Sequence, residues 1–353
     1  TADFYFMRDS MAILEAVNLK EAKVVNAEYK ESYYSTSLIK NDIIPFRAFY
    51  DKKILSHFSF PERVTHIAAD AFSGTSLSGA LVIPDDVVEI SEAAFSNTLV
   101  NSISLSHKLA KIDEDAFKAC ESLTGTLSLP ETLTYLGSFA FSGCRFSGEL
   151  HLPNNLEFIG YGPFSSAGSF VGNLRIPDKI KTIPASAFSN CGFTGQLDLN
   201  NAIEFRESCF WGCYFSGDLI IPEGTVEIPN SFIGAASAPG PGKLNSIVLP
   251  ESLRRIGNSA FFGQSRLRKL KISDGLIFIG SDAFTGCTDL TSLELPTTIQ
   301  TIDEGAFKMC FNISSIICNA VEPPSVMSAA FDGVAKDNFT VEVPTQSVTR
   351  YKT

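Results

Sequence analysis

Tryptophan is nearly absent from this chain of 353 residues, which contains one Trp against 29 Phe. Long apolar runs are absent as well: no stretch approaches the roughly 18–20 apolar residues that span a bilayer, so direct membrane insertion is not predicted. Positive charge is scarce, with 28 Lys and Arg against 39 Asp and Glu and a formal net charge of −11. Because such a surface repels polyanions, nucleic acid is not an expected partner.

Signatures of catalysis and of cofactor binding are also missing. The chain has no phosphate-binding loop, no glycine-rich dinucleotide turn and no Gly-x-Ser-x-Gly elbow. Its four histidines share no spacing typical of catalysis, and Cys209 and Cys213 lack a second Cys or His pair at zinc spacing. The sequence therefore predicts a protein that is not an enzyme and that holds no cofactor or metal.

One phrase recurs along the chain: two apolar residues around a variable one, a Pro, an aliphatic pair, then Ala-Phe. It reads LVIPDDVVEISEAAFSN at 81–97 and LELPTTIQTIDEGAFKMC at 293–310. Such a period indicates a solenoid of stacked coils. The final Phe of each phrase recurs every 22 to 24 residues, with one step of 29: Phe49, Phe72, Phe95, Phe117, Phe141, Phe164, Phe188, Phe210, Phe232, Phe261, Phe284, Phe307 and Phe331.

The apolar-x-apolar triplet before the Pro has the period of a strand, with its outer residues on one face and its middle residue on the other. A three-residue strand cannot bury its apolar face alone, but stacked on similar neighbours at about 4.8 Å it becomes one rung of a long parallel sheet. The segment before Ala-Phe is predicted to form a turn or a single helical turn, and the Phe residues to fill the space between rungs. The expected fold is an α/β repeat: a right-handed solenoid with one long parallel sheet and short turns or helical pieces opposite.

These units resemble the BspA-like leucine-rich repeats of bacterial surface proteins, which are frequent in Bacteroidetes and occur in some treponemes and parasitic protists. The resemblance covers about residues 40–345. It implies an N-terminal cap and first irregular repeat at 1–40, with a helix and an early strand at 17–19. A leucine-rich repeat solenoid of about 13 units of about 23 residues follows at 41–335, and a closing strand and cap at 336–353.

The resemblance also implies a function. BspA-like proteins are associated with adhesion to host matrix proteins and to other bacteria, so we expect a secreted, cell-surface adhesin, a monomer that binds a protein or glycan on a host or neighbouring cell. The first residues lack a basic flank and an apolar block. An export signal and an anchor are therefore expected outside this sequence. A structural spacer without its own ligand is the alternative, and an intracellular scaffold is a more distant one.

Most of the eight cysteines share one repeat position. Neighbouring rungs would bring such cysteines to Cα separations of roughly 5 Å, within disulfide range. Their side chains point in parallel, however, and we expect buried free thiols. The six cysteines at this position lie three residues after the repeated Phe: Cys120, Cys144, Cys191, Cys213, Cys287 and Cys310.

Three segments depart from the repeat. The 29-residue step contains a Pro-Gly-Pro-Gly stretch at 239–242, predicted to bulge as a tolerated surface insertion or as a binding loop. Trp211 follows the inward Phe210 and is therefore predicted to lie near the surface. Residues 20–43 are polar and tyrosine-rich and are predicted to form a long looped connection, with Tyr33 and Tyr34 as a further possible contact region.

The middle residue of each triplet is predicted to point away from the core and to line up with its neighbours along the sheet. In this outward row Ile220 and Val248 form an apolar pair beside the long loop, an arrangement that often marks a contact site. The alternative is that exposed aliphatic residues are ordinary on strands. The outward row comprises Ser59, Val82, Ser104, Ser128, His151, Arg175, Asp198, Ile220, Val248, Lys271, Glu294, Ile317 and Glu342. The predicted protein-binding surface comprises His151, Arg175, Asp198, Trp211, Ile220 and Val248.

Overall fold

A computed structural model describes residues 4–11, 13–22, 27–32, 35–39, 42–234, 243–335 and 340–352. The chain divides into two compact units, Thr1–Phe170 and Val171–Thr353, which we call unit 1 and unit 2. Short strands and turns dominate both units, and the one α-helix among the described residues is α1 (Phe4–Ser10).

The strands of unit 1 follow helix α1 in chain order: β1 (Ala16–Asn18), β2 (Ala27–Ser32), β3 (Ser35–Ile39), β4 (Ile43–Ile44), β5 (His57–Ser59), β6 (His66–Ile67), β7 (Ser78–Val82), β8 (Glu89–Ile90), β9 (Leu99–Ser104), β10 (Lys111–Ile112), β11 (Thr124–Gly125), β12 (Tyr135–Leu136), β13 (Arg145–Gly148), β14 (Phe158–Ile159) and β15 (Gly168–Phe170).

Unit 2 continues the numbering: β16 (Leu174–Arg175), β17 (Thr182–Ile183), β18 (Leu197–Asp198), β19 (Glu204–Phe205), β20 (Ser216–Ile220), β21 (Glu227–Ile228), β22 (Lys243–Val248), β23 (Arg255–Ile256), β24 (Lys269–Lys271), β25 (Phe278–Ile279), β26 (Ser292–Leu295), β27 (Thr301–Ile302), β28 (Ser315–Cys318), β29 (Ser325–Val326) and β30 (Thr340–Glu342). Two 3-10 turns follow, Thr345–Ser347 and Arg350–Lys352.

The predicted parallel pairing is present, but in several separate sheets and not in one long sheet; we call these sheets together the front ladder. In unit 2 it runs β16–β18 and then β20–β22–β24–β26–β28–β30; in unit 1 it runs β1–β5, β7–β9 and β11–β13–β15. All of these pairs are parallel. The register preserves the repeat position, as in Ile247 opposite Leu270 and Leu270 opposite Leu293. The triplet pattern therefore predicted the strands and their alignment in unit 2, whereas β11, β13 and β15 of unit 1 precede their triplets, which are joined by a single bridge between Ser128 and His151.

A second ladder, which the sequence does not predict, accompanies the front ladder. Each coil adds a two-residue strand that ends at the aliphatic residue upstream of Ala-Phe, and these strands pair β4–β6–β8–β10–β12–β14 in unit 1. Unit 2 has β17–β19 and β21–β23–β25–β27–β29. Ile67 lies opposite Ile90, and Ile90 opposite Ile112. A strand of two residues leaves no alternating pattern, so the sequence shows only its buried residue.

The helical pieces expected before and around Ala-Phe are not confirmed, because these segments are turns. Residues with left-handed backbone flank the repeated Phe two positions away on each side: Asp70 (φ 56°) and Gly74 (φ 70°) flank Phe72. Left-handed residues interrupt a right-handed helix. They also direct amide groups toward the next coil, as in Phe72 N–H donating to Ala94 O at 2.8 Å. The turns therefore form a third hydrogen-bonded row.

Stacked phenylalanines form the core, as predicted. Each repeated Phe from Phe49 to Phe307 is fully buried. In unit 1 the rings of Phe72 and Phe95 lie 5.1 Å apart at an interplanar angle of 3°, and those of Phe95 and Phe117 lie 5.3 Å apart at 4°. The same stacking joins Phe284 to Phe307 at 5.3 Å in unit 2. We call this row the Phe ladder.

The prediction that Phe232 belongs to the Phe ladder is wrong. The amide of each ladder residue donates to the carbonyl of the next coil's Ala position, and Phe210 N–H donates to Phe232 O. Ile233 N–H in turn donates to Ala260 O, so Ile233 holds the ladder position. The ring of Phe232 is nearly perpendicular to those of Phe210 and Phe261. In the sequence SFIG at 231–234, Phe232 and Ile233 both fit the apolar position of the repeat. Only the hydrogen bonds between coils distinguish them.

All eight cysteines are free and buried, which confirms the expectation. Several donate a hydrogen bond to the carbonyl of the preceding ladder Phe: Cys120 Sγ lies 3.1 Å from Phe95 O, and Cys213 Sγ lies 3.1 Å from Phe188 O. Each such thiol satisfies a buried carbonyl while filling core space. Burial raises the pKa of Cys213 to about 12, so the thiol stays protonated at neutral pH.

The ends of the described chain follow the prediction only in part. Helix α1 and strand β1 confirm the early helix and strand. The looped connection predicted for 20–43 instead contains an antiparallel pair, β2 with β3, in which Tyr29 lies opposite Ser37. Tyr33 and Tyr34 lie outside the described residues. Strand β30 is present near the other end and is followed by 3-10 turns.

Candidate binding surface

The outward row of the front ladder has the predicted orientation. All thirteen middle residues are exposed, whereas the residues beside them in the triplets are buried or half-buried, except Val341 beside Glu342, which is 52% exposed. Val82 and Ile220 are each 64% exposed, and Val248 is 52% exposed. Aliphatic side chains with this exposure do not contribute to the core and are available for contact.

Arg175 and Asp198 lie opposite each other on β16 and β18. The Arg175 guanidinium is 3.4 Å from Asp198 and 2.7 Å from Asp178. Hydrogen bonds from Asn200 and from Arg175 hold the pKa of Asp178 below its usual range. The group is therefore ionised at neutral pH and presents a fixed arrangement of charges, although exposed ion pairs of this kind add little stability.

Ile220 and Val248 are direct neighbours, paired across β20 and β22. The row continues through Lys271, Glu294 and Ile317 on the following strands. A polar row runs beside it, in which Ser246 Oγ donates to Asp218 at 2.7 Å. The predicted apolar pair is thus real and is bordered by charged and hydroxyl groups.

Trp211 belongs to a different row from this pair. It lies in a turn, where its carbonyl accepts a hydrogen bond from Asn190 N–H at 2.7 Å. Its ring packs against Phe262 with the centroids 6.4 Å apart, and the side chain is half-buried. Trp211 therefore contributes to the turn side of unit 2 rather than to the front ladder.

His151 belongs to unit 1, where it forms a bridge with Ser128 and lies 3.4 Å from a Glu149 oxygen. The other five predicted residues belong to unit 2. The Pro-Gly-Pro-Gly stretch at 239–242 lies outside the described residues. The prediction that it forms a surface insertion or a binding loop therefore stays a prediction.

The sequence did not reveal two further surfaces. On the second ladder of unit 1, Tyr135 and Phe158 stack with centroids 4.6 Å apart. Near the end of unit 2, a cavity of about 980 Å³ is lined mainly by apolar residues, among them Ile316, Phe331 and Tyr351. Tyr135 and Phe158 each directly precede the buried aliphatic residue of a second-ladder strand, Leu136 and Ile159. Their equivalent positions in the repeat could have predicted that the two rings are neighbours.

Within the described ranges, no three His, Cys, Asp or Glu side chains cluster as metal ligands would. None of the helices in the described part of the chain is long and apolar enough to cross a membrane.

The repeat of about 23 residues, the parallel ladders and the buried Phe ladder define a parallel β-solenoid of the leucine-rich repeat class. The family model described as "BspA type Leucine rich repeat region (6 copies)" matches residues 42–169, 124–238 and 239–351. This chain therefore belongs to the BspA-type leucine-rich repeat family.

Solved structures similar to this chain include a leucine-rich repeat protein from Bacteroides ovatus, with 18% identity over 92% of this chain and 98% of that one and a TM-score of 0.46. A leucine-rich cell surface protein from Faecalibacterium prausnitzii has 21% identity over 96% and 89%, with a TM-score of 0.49. The pneumococcal vaccine antigen PcpA has 17% identity over 97% and 86%, with a TM-score of 0.43. No curated protein matches this chain.

Proposed function

We propose that this chain is a non-enzymatic binding module of a cell-surface protein, an adhesin that attaches as a monomer to a protein or glycan on a host cell or a neighbouring cell. Membership in a repeat family supports this proposal, because solenoids present extended surfaces and change partners through outward residues while the core is retained.

The observation that carries the proposal is the apolar pair on the front ladder of unit 2. Ile220 and Val248 lie side by side, are 64% and 52% exposed, and have charged and hydroxyl groups around them. An apolar centre with a polar rim is the usual anatomy of a protein interface. Arg175 adds a guanidinium on the same ladder, and arginine is enriched among the residues that dominate binding energy.

The test replaces Ile220 and Val248 together by Ser and measures binding to immobilised fibronectin, laminin and collagen and to whole epithelial cells. We expect binding to weaken by about tenfold or more, the loss typical of central interface residues. The melting temperature should stay nearly unchanged, because both side chains are exposed. Val82→Ser is the matched control, since Val82 occupies the same triplet position in unit 1 with 64% exposure.

Undiminished binding by the folded double variant would move the site elsewhere, with Trp211 on the turn side of unit 2 as the next candidate. If the native chain binds none of the probes, the spacer function is favoured instead. His151→Ala and Arg175→Ala are tested in the same binding assay. A loss of binding by the first variant alone would indicate a surface in unit 1, and a loss by the second alone a surface in unit 2.

A further inference from the structure

A second outward row runs along the second ladder of unit 1 and ends in an aromatic pair. Its residues precede the buried aliphatic residue of each two-residue strand: Ile43, His66, Glu89, Lys111, Tyr135 and Phe158. The rings of Tyr135 and Phe158 are nearly parallel, at an interplanar angle of 9°. Phe158 is 45% exposed although it is a large apolar side chain. Its position in the coil is outward, and it does not contribute to the core.

Aromatic rings on the second ladder and in the adjoining turns hold cations in this molecule. Lys111 Nζ lies 5.4 Å from the centroid of Tyr135, and Lys118 Nζ lies 4.9 Å from that of Phe139. In unit 2, Arg255 lies 3.9 Å over Phe278, which occupies the repeat position of Phe158. Among the described residues, Phe158 has one ring contact, with Tyr135, and no cation over its ring. Lys111, Tyr135 and Phe158 therefore form a stack of three side chains, and Phe158 is its last member.

A second aromatic pair lies on the same two coils. Phe139 and Tyr161 meet edge to face with centroids 5.0 Å apart, and Tyr161 is 45% exposed. Phe139 has a φ of 53°, a left-handed conformation that is unusual for a bulky residue. In other coils the same position holds residues such as Ala93, Asp115 and Ser186, and in the first coil it holds Arg47. Left-handed backbone at this position is part of the coil, but among the described left-handed residues Phe139 is the one aromatic, so its ring is a departure from the other coils.

The charge of unit 1 indicates the chemistry of a partner. Residues 1–170 contain 13 Lys and Arg against 21 Asp and Glu, a formal net charge of −8 out of −11 for the whole chain. Glu157, next to Phe158, and Glu131 on the preceding coil are both exposed. The negative electrostatic field of unit 1 attracts a cationic partner and raises the rate at which that partner associates.

We propose that the aromatic surface formed by Tyr135, Phe158, Phe139 and Tyr161 docks an arginine-rich segment of a partner protein, with a guanidinium group stacked on Phe158. Arginine fits better than lysine, because its planar guanidinium stacks on aromatic faces and is more weakly hydrated. The exposed carboxylates of Glu131 and Glu157 on the same coils carry the charge opposite to that of a guanidinium. This surface is separate from the front ladder, and its use does not depend on the function proposed for Ile220 and Val248.

The test is isothermal titration of the whole chain with nona-arginine and nona-lysine peptides at physiological salt. An acidic protein attracts any polycation, so dependence on the ring is the decisive readout. Phe158→Leu keeps the apolar side chain but removes the ring, and we expect it to weaken nona-arginine binding about three- to tenfold. Phe158→Trp should retain or increase the affinity, because Trp is the best partner in cation–π contacts.

Phe278→Leu is the matched control in unit 2 and should leave nona-arginine binding unchanged, because its ring is already covered by Arg255. The Ile220→Ser, Val248→Ser double variant should also bind the peptide normally, which separates this surface from the front ladder. Equal affinity of native and Phe158→Leu chains for nona-arginine would overturn the proposal. The proposal would also be overturned if binding of the neutral sugar cellohexaose depended on Phe158 and binding of nona-arginine did not. That result would identify a sugar site.

Discussion

The two units use the same coil but present different surfaces. In unit 1 the outward row of the front ladder is mostly small and polar, whereas in unit 2 it consists of charged and aliphatic side chains. The two sets are Ser59, Val82, Ser104, Ser128 and His151 in unit 1, and Arg175, Asp198, Ile220, Val248, Lys271, Glu294, Ile317 and Glu342 in unit 2. Buried positions specify the coil, so outward positions are free to vary.

The cores of the two units differ as well. In unit 1 the Phe ladder runs from Phe49 to Phe164 with near-parallel rings throughout. In unit 2 the ladder is interrupted at Ile233, where Phe232 enters from the neighbouring position. Unit 2 also holds six of the eight cysteines. The same fold therefore tolerates both a uniform and an irregular core.

The largest expected effect is truncation of a ladder ring. Phe141→Ala in unit 1 and Phe284→Ala in unit 2 should each lower the free energy of unfolding by about 3–5 kcal/mol, because a cavity replaces a fully buried ring. Each coil contacts its neighbours, so hydrogen-exchange protection should fall in adjacent coils too. Urea unfolding measures the energy; Phe158→Ala, at an exposed position, is the control. A melt of Phe284→Ala identical to that of the native chain would contradict the placement of the ladder.

A smaller effect is expected where the ladder is interrupted. Ile233→Phe would extend the row of rings, but Phe232 already fills the space between Phe210 and Phe261. Overpacking should therefore lower the free energy of unfolding by about 1–3 kcal/mol. Ile233→Val, which removes one methyl group, should cost about 0.5–1.5 kcal/mol. Stabilisation by Ile233→Phe would show instead that unit 2 has room for a continuous ladder.

The smallest effect concerns the buried thiol of Cys213 and appears only at alkaline pH. Burial raises the pKa of Cys213 from 9.0 to about 12. Its stabilising contribution is complete below pH 9 and is lost as the pH rises from about 9 to about 12, because only the unfolded chain then ionises readily. Burial also raises the pKa of Cys209 and Cys287 in unit 2 and of Cys120 and Cys144 in unit 1. Because unit 2 holds more of these thiols, alkaline unfolding should affect unit 2 first.

Thiol titration at pH 8 checks the burial on which this prediction depends. We expect no reaction in the folded chain and eight reactive thiols after unfolding in urea. When the pH of the folded chain is raised above 9, mass spectrometry assigns the cysteines that are modified first. Labelling of Cys120 or Cys144 in unit 1 before the cysteines of unit 2 would reverse the predicted order of alkaline unfolding. A total below eight after unfolding would reveal disulfides.

Much of the architecture could be predicted because it depends on strict periods. The triplets before each Pro predicted the outward row, and the spacing of Ala-Phe predicted a buried stack of rings. The second ladder escaped prediction because a two-residue strand such as β8 has no alternation to detect. The turns were equally hidden, since Ala93, Asp115 and Ser186 adopt left-handed backbone without a glycine to signal it. Hydrogen bonds to the adjacent coil stabilise that conformation.

The sequence alone determined the repeat, the orientation of the front row and the burial of the cysteines, because each follows from spacing along one chain. Only the tertiary structure decided that Ile233 and not Phe232 enters the ladder, that Trp211 packs on the turn side against Phe262, and that Tyr135 meets Phe158. These outcomes depend on which residue of the adjacent coil lies opposite. That alignment is set by hydrogen bonds between coils, which no local pattern contains.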